Sequence, residues 1–350
     1  MKGSPQEMQK AKFKVVLAVA ALGATVLAGA PANAASSGIK PGLKIAIMPK
    51  AVNIGYFTAW NQGAQKACKE IKAVCTYLGP TQATGPAQVQ FINQVIQKKY
   101  NVLVISAADQ NAIVPSLKKA KAAGITIVTS DADVAVPSAR TVSILPASSA
   151  SIGTAEVDWI AKATGGKGSI AILSAAATAA NQNAWIAAMG PYLTSKYPNM
   201  SWVGGTVDKS VFYGNDDPAT STSQFDAILA QYPNVAGIIA PTTVGVLAAA
   251  QEKKAKGSSV AVTGLGLPSQ MASYITDGTV EQVGLWNPID LGYVAVYAAA
   301  EAKSGSFSGK VGSVVKAGGK SYTVTAGGIA YLGAPFIFDK SDIATFSKIY

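Results

Sequence analysis

Residues 102–131 read VLVISAADQNAIVPSLKKAKAAGITIVTSD, and residues 235–267 read VAGIIAPTTVGVLAAAQEKKAKGSSVAVTGLGL. Both stretches run through one series: a short apolar strand, a polar loop, an Ala/Lys-rich helical segment, a glycine and a second apolar strand. Their identity is low, so what repeats is architecture. Apolar runs without in-out alternation mark strands covered on both faces, the condition of a parallel sheet. A strand that returns parallel to its predecessor through a helix builds an open α/β layer. The pair of stretches therefore predicts an α/β fold of two doubly wound parallel-sheet lobes.

Working outward, the first lobe gains strands at 43–48, 74–78, 102–107, 125–129 and 141–145. Phe57, Trp60, Ala64, Ala67 and Ile71 recur at spacings of three and four, as do Val89, Ile92, Val95 and Ile96, giving two helices with one buried face each. Strands at 169–173, 202–207, 235–240, 260–264 and 282–286 then alternate with helices near 149–164, 181–196, 219–231, 243–256 and 269–277. The chain is expected to cross between lobes near Pro146, near Asn287-Pro288 and around 333–335, a three-crossing hinge. The N-terminal lobe is read as 43–145 plus 290–332, and the C-terminal lobe as 146–286 plus 333–350. Residues 305–330, rich in Gly, Ser and Lys, read as an inserted hairpin region.

Ahead of this pattern, Lys2, Lys10, Lys12 and Lys14 precede a run of small apolar residues from 15 to 30, followed by Pro31-Ala32-Asn33-Ala34. This is the layout of a signal peptide, with cleavage expected after Ala34. A membrane anchor is the other reading, but the apolar run is short for a span. No cysteine lies near the cleavage site to accept a lipid, so the expected product is a soluble periplasmic chain. Removing four lysines and one glutamate takes the formal charge from +11 to +8. Roughly 316 residues then remain, enough for two full cores.

Charged residues make up only 13% of the chain and apolar ones 49%, which argues against disorder. The lysines are scattered along helices and form no basic stripe, so nucleic acid is not an expected partner. Histidine is absent altogether. That removes the commonest general base, the commonest metal ligand and any Ser-His-Asp arrangement. Two cysteines alone cannot hold zinc. No metal or cofactor is expected, and phosphate-cradling fingerprints are missing, since Pro268 and Ser269 stand where later glycines belong after Gly264-Leu265-Gly266. Cys68 and Cys75, seven apart in an exported chain, read as a disulfide pinning a helix to the following strand; two free thiols are the other reading.

In open parallel sheets, ligands meet the loops beyond the carboxyl ends of the strands. Those loops carry Lys50, Asn53, Tyr56 and Phe57 after the first strand, Asp109 and Asn111 after the third, and Asp131 with Asp133 after the fourth. In the second lobe they carry Asn181 and Gln182, then Pro241, Thr242 and Thr243, then Leu267, and finally Asn287. Amides and carboxylates bond adjacent hydroxyls while an aromatic face covers an apolar ring side, a mixture suited to a polyhydroxylated neutral ligand. Asn111 and Asn181 read equally as helix caps. Trp60 reads as core, and Asp133 as a turn former.

The motifs Ile47-Met48-Pro49-Lys50, Gly79-Pro80-Thr81, Ile105-Ser106-Ala107, Asn181-Gln182-Asn183-Ala184-Trp185 and Ile239-Ala240-Pro241-Thr242, with the run from Gly284 to Tyr293, occur in this order and spacing. Over essentially its whole mature length the chain resembles type I periplasmic substrate-binding proteins of sugar ABC transporters. It looks closest to the rhamnose-binding and autoinducer-2-binding branch. The resemblance implies a ligand enclosed between lobes without chemical change. It matches Lys50, Asp131, Gln182 and Pro241 to cleft residues of the autoinducer-2 binders. Asn181 and Asn287 stand where those proteins place aspartates, and Ile54 where related sugar binders place an asparagine, with Asn53 one residue early. The arginine of ribose-type relatives corresponds to Asn181.

The expected function is a monomeric, non-enzymatic carrier that captures a small neutral sugar, rhamnose or a similar deoxy sugar, and delivers it to a membrane permease. Alternatives are an autoinducer-2 or polyol binder, a sensor presenting ligand to a chemoreceptor and, on the same fold, a sugar-modifying enzyme.

Overall fold

The computed structural model describes residues 38–350. The expected signal peptide, residues 1–34, lies outside the described residues.

The chain enters with β1 (Lys44–Met48), α1 (Gly55–Glu70), β2 (Val74–Tyr77), α2 (Gly85–Gln97), β3 (Val102–Ile105), α3 (Val114–Ala122), β4 (Thr126–Ser130) and β5 (Val142–Leu145). After β5 the pattern restarts with α4 (Ser149–Thr164), β6 (Gly168–Ser174), α5 (Ala180–Lys196), β7 (Met200–Trp202), β8 (Val211–Tyr213), α6 (Pro218–Gln231), β9 (Gly237–Ala240), α7 (Thr243–Lys256), β10 (Ala261–Gly264), α8 (Pro268–Thr276) and β11 (Gln282–Leu285). The last section holds α9 (Pro288–Ser304), β12 (Val314–Ala317), β13 (Lys320–Thr323), β14 (Ile329–Tyr331), β15 (Phe336–Asp339) and α10 (Ile343–Phe346).

Two parallel sheets result. The first has the order β14-β5-β4-β3-β1-β2 and the second β10-β9-β6-β7, with β8 also pairing with β6. Each sheet reverses its winding direction beside its own first strand, between β1 and β3 in one and between β6 and β9 in the other. That reversal opens a crevice where no connection crosses, the usual ligand position in such sheets. The strands β3 and β9 are buried at every position, in keeping with their unbroken apolar sequence.

Three connections join the lobes: β5 into α4, β11 into α9, and β14 into β15. The last returns the chain from the first sheet to an antiparallel pairing with β11. The 305–330 region contains the hairpin β12–β13 followed by β14. Proline stands in the first turn of α2, α3, α6, α8 and α9, where its missing N–H leaves no bond unmade.

One expected strand is corrected. Residues 202–207 do not form a single strand: β7 ends at Trp202, and the chain turns through Gly204-Gly205 before β8 begins at Val211. Gly205 has φ +79, a conformation that side-chain-bearing residues avoid, and a Cβ on Gly204 would lie 2.5 Å from the Lys209 carbonyl oxygen. β7 pairs with the start of β6 and β8 with its end, so two short strands share one sheet position. The third strand is also shorter than expected, closing at Ile105, and the Ser106 hydroxyl just beyond it bonds Asp131.

The connection at Asn287 is locked by close helix packing. A Cβ on Gly63 of α1 would sit 1.7 Å from the Ile289 carbonyl oxygen, and one on Gly292 of α9 2.0 Å from that of Trp60. Only glycine lets these two helices approach so closely. Nearby, Cys68 at the end of α1 and Cys75 in β2 form a disulfide with Cα atoms 6.2 Å apart.

Candidate functional site

A cavity of about 370 Å³ lies where the two sets of strand ends face each other. The first lobe contributes Lys50 just beyond β1, Ile54, Tyr56 and Phe57 at the start of α1, and Asp131 just beyond β4. The second contributes Asn181, Gln182 and Trp185 from the first turns of α5, Asp216 beyond β8, and Pro241, Thr242 and Thr243 beyond β9. Leu265 beyond β10, with Leu285 and Trp286 at the end of β11, completes the lining.

The floor on the first-lobe side is a connected polar chain. The Trp286 indole N–H donates to the Tyr56 hydroxyl over 2.7 Å, and that hydroxyl donates to Asp131 Oδ1 over 2.8 Å. The Ser106 hydroxyl donates to Asp131 Oδ2, also over 2.8 Å. Each carboxylate oxygen thus has one fixed donor and a lone pair to spare. Asp131 adopts φ +70, a left-handed turn that aspartate tolerates better than most residues, and this bends the chain sharply as it leaves β4. Burial pushes its pKa above the ordinary carboxylate value; the nearby Lys50 charge and the bonds from Ser106 and Tyr56 pull against that rise. The Tyr56 phenol is held well above its ordinary value, first by burial and then by the adjacent Asp131 charge.

Lys50, only 3% exposed, reaches across the crevice. Its ammonium donates to Asn181 Oδ1 at 3.0 Å and to Gln182 Oε1 at 3.5 Å. Behind it, the buried Gln88 side chain donates to the carbonyls of Pro49 and Ser106 and accepts from the Ala108 N–H. One amide thereby ties together the loops that leave β1 and β3. The rings stack edge to face: Tyr56 with Phe57 at 5.1 Å and with Trp286 at 6.1 Å, and Trp286 with Trp185 at 5.8 Å. Trp60 is fully buried, its indole N–H donating to the Ser130 hydroxyl.

Of the residues expected from sequence, Lys50, Tyr56, Phe57, Asp131, Asn181, Gln182, Pro241, Thr242 and Thr243 come together on this cavity. Five stand apart from its lining. Asn53 is exposed in the turn before α1. Asp109 accepts the backbone N–H groups of Asn111 and Ala112, bracing its own loop, and Asn111 is exposed. Leu267 is buried at the start of α8, where a Cβ on Gly55 would meet it at 3.4 Å. The Asn287 side chain accepts from the N–H groups of Ile289 and Asp290, capping α9. Asp133 pairs with the Arg140 guanidinium and accepts the Thr129 hydroxyl, a brace for the β4–β5 connection.

Sequence reasoning missed Ile54, Trp185, Asp216, Leu265, Leu285 and Trp286. A strand-end rule could have found Leu265, Leu285 and Trp286. Asp216 follows a strand that had been misplaced, so no signal pointed to it. Among the described residues no group of acidic, histidine or cysteine side chains is arranged to hold a metal ion, and no helix is long and apolar enough to cross a membrane.

Two winding reversals beside one cavity, with ligand-type side chains from both lobes, define a solute-binding architecture. Residues 45–306 match the family described as periplasmic binding protein domain. An ABC transporter solute-binding protein from Clostridium phytofermentas, solved with bound L-rhamnose, is 36% identical, with a TM-score of 0.84 over 88% of this chain and 99% of that one. LsrB from Clostridium saccharobutylicum, in complex with AI-2, is 26% identical, with a TM-score of 0.82 over 87% and 99%. A sugar ABC transporter protein from Actinomyces odontolyticus is also 36% identical, with a TM-score of 0.68 over 87% and 97%. The chain belongs to the periplasmic binding proteins of sugar ABC transporters.

Proposed function

We propose that this protein captures a neutral deoxy sugar of the rhamnose type between its lobes and passes it, unchanged, to the permease of an ABC importer. The observation that carries the sugar class is the mixed lining of the cavity. Lys50, Asp131, Asn181, Gln182 and Thr242 supply hydrogen-bonding groups, while Ile54, Leu265 and Leu285 add side chains that carry no polar atom. A ligand hydroxyl set against those side chains would lose its water partners without replacement, whereas a methyl group would not. The 36% identical relative with bound L-rhamnose supports the same reading.

In this reading the lobes comprise 43–145 with 290–332 and 146–286 with 333–350, and close as rigid bodies about the three connections. Ligand contacts made only in the closed form shift the population toward it. Residues 1–34 act as the export signal, cleaved after Ala34, and the mature protein works as a periplasmic monomer without a cofactor. Phe57 covers one face of the ring, while Asp131 and the second-lobe amides bond its hydroxyls. Presentation of the bound sugar to a chemoreceptor would use the same closed surface.

A thermal-shift screen of the mature protein tests this against L-rhamnose, other deoxyhexoses, pentoses, polyols and AI-2. A ligand present at about 100 times its dissociation constant adds about 2.7 kcal/mol of stability. A shift with L-rhamnose or another deoxyhexose is the expected result. A shift with AI-2 alone, or with fully hydroxylated sugars alone, overturns the deoxy-sugar assignment.

A further inference from the structure

Asp216 lies beyond the split edge of the second sheet, and its carboxylate reaches the cavity lining. There it accepts the hydroxyl hydrogen bond of Thr242, the residue just beyond β9. A threonine hydroxyl has one proton and two lone pairs. With the proton committed to Asp216, Thr242 can turn only a lone pair toward a ligand. The opposite polarity holds at the start of α5. There Lys50 occupies the side-chain carbonyls of Asn181 and Gln182, leaving their amide N–H groups to donate. One cavity wall therefore carries two groups of atoms with opposite hydrogen-bonding sense, each set by a charged neighbour.

The backbone is held unusually to achieve this. Asn215 and Asp216 are consecutive non-glycine residues at φ +57 and φ +52. Two such residues in succession are uncommon, and strain of this kind persists where the surrounding structure over-determines it. The Gly214 N–H donates to the Ser174 carbonyl and the Asn215 N–H to that of Ala175, fixing the loop to the end of β6.

From this geometry we infer that Asp216 is a specificity-determining positioning residue. It locks Thr242 as an acceptor, so that the site selects a sugar presenting a hydroxyl proton at that place. The inference rests on the sugar-carrier reading and names one of its selectivity devices.

The test is titration calorimetry of the mature protein with L-rhamnose and D-fucose, comparing wild type with Asp216→Gly, Asp216→Asn, Thr242→Val and the double variant Asp216→Gly/Thr242→Val. Glycine accepts the left-handed backbone, so the first variant removes the carboxylate without adding strain. Asparagine keeps both the backbone preference and an oxygen that can accept the Thr242 proton. For the sugar that wild type binds more tightly, Asp216→Gly is expected to weaken affinity roughly 10- to 100-fold, with Thr242→Val matching it. The double variant is expected to be no weaker than either single one, and Asp216→Asn to recover affinity to within about threefold of wild type. Asp216→Gly binding within twofold of wild type, losses that simply add in the double variant, or no recovery with asparagine would overturn the inference alone. Wild type that binds neither sugar overturns it together with the reading on which it rests.

Discussion

Asp131 and Glu156 are both carboxyl groups shut away from solvent, 4% and 0% exposed, in opposite surroundings. Asp131 stands at the floor of the cavity with a hydroxyl donor on each oxygen and the Lys50 ammonium nearby. Glu156 lies on the buried face of α4, between Gly153, which packs on the Trp185 carbonyl, and Trp159, which packs on Gly284. Neither Glu156 oxygen has a hydrogen-bond partner among the described residues. Burial raises both pKa values. For Asp131, charge and hydrogen bonds oppose the rise; for Glu156, burial is the whole cause and the group is held well above its ordinary value. Burial alone therefore does not mark a binding group. The two differ in their donors: Asp131 has one on each oxygen and Glu156 has none among the described residues.

The strongest way to break this contrast is Asp131→Ala. It removes the acceptor of two buried hydroxyls, so unfolding free energy should fall by roughly 2–5 kcal/mol. Sugar affinity should drop more than about 100-fold, or about 2.7 kcal/mol. Urea unfolding and calorimetry read the two effects, and unchanged affinity would show that Asp131 faces no ligand.

Glu156→Leu should act in the other direction. It replaces an unsatisfied polar group with an apolar one of similar bulk, raising stability at neutral pH by about 2 kcal/mol while leaving sugar affinity unaltered. It should also remove a pH slope. In wild type the unfolded carboxyl loses its proton near its ordinary pKa of about 4.3, while the folded one keeps its proton to higher pH. Stability from this group is therefore fully present below the unfolded value and declines as pH rises toward the folded one. Unfolding curves from pH 4 upward should show that decline in wild type and a shallower one in the variant.

Tyr56→Phe sharpens the contrast from the other side, by making Asp131 more like Glu156. It deletes one charge-directed bond and strands the Trp286 N–H, with a stability loss of about 1.5 kcal/mol. Weaker sugar binding should accompany the loss, because Asp131 loses the donor that aims it. The smallest expected effect is on the pH dependence of binding. With its pKa raised, Asp131 gains a proton at a higher pH than an ordinary aspartate, so affinity should begin to fall on acidification while most surface carboxylates remain charged. Affinity that stays flat until the ordinary carboxylate range would contradict the raised value.

Much of the fold was legible because strand and helix periods differ and the apolar runs obey them. The strand–helix–strand layout of 102–131 and 235–267 recurs in β3-α3-β4 and β9-α7-β10 almost without shift. Loops following correctly placed strands supplied most of the cavity lining. The differences between the expected residues and the cavity lining have physical causes. Asn287 and Asp109 are polar residues at strand ends, as binding residues are, but helix N-termini and loop N–H groups compete for the same side chains. Asp216 went unseen because Gly204-Gly205 breaks an apparently continuous strand. Gln88, a helical residue with no distinguishing neighbour in sequence, turned out to brace two loops of the site.

The sequence by itself determined the parallel two-sheet class, the three crossings and the chemical type of side chain at the strand ends, because these follow from periodicity and from the connections a parallel strand requires. Only the tertiary structure decided which of those side chains meet, that Trp286 and Tyr56 link the two lobes to Asp131, and that two charged residues set the hydrogen-bonding sense of their neighbours. Those outcomes depend on distances between segments far apart in the chain, and on left-handed backbone at Asp131 and Asp216. Neither leaves a local signature that amino-acid order can carry.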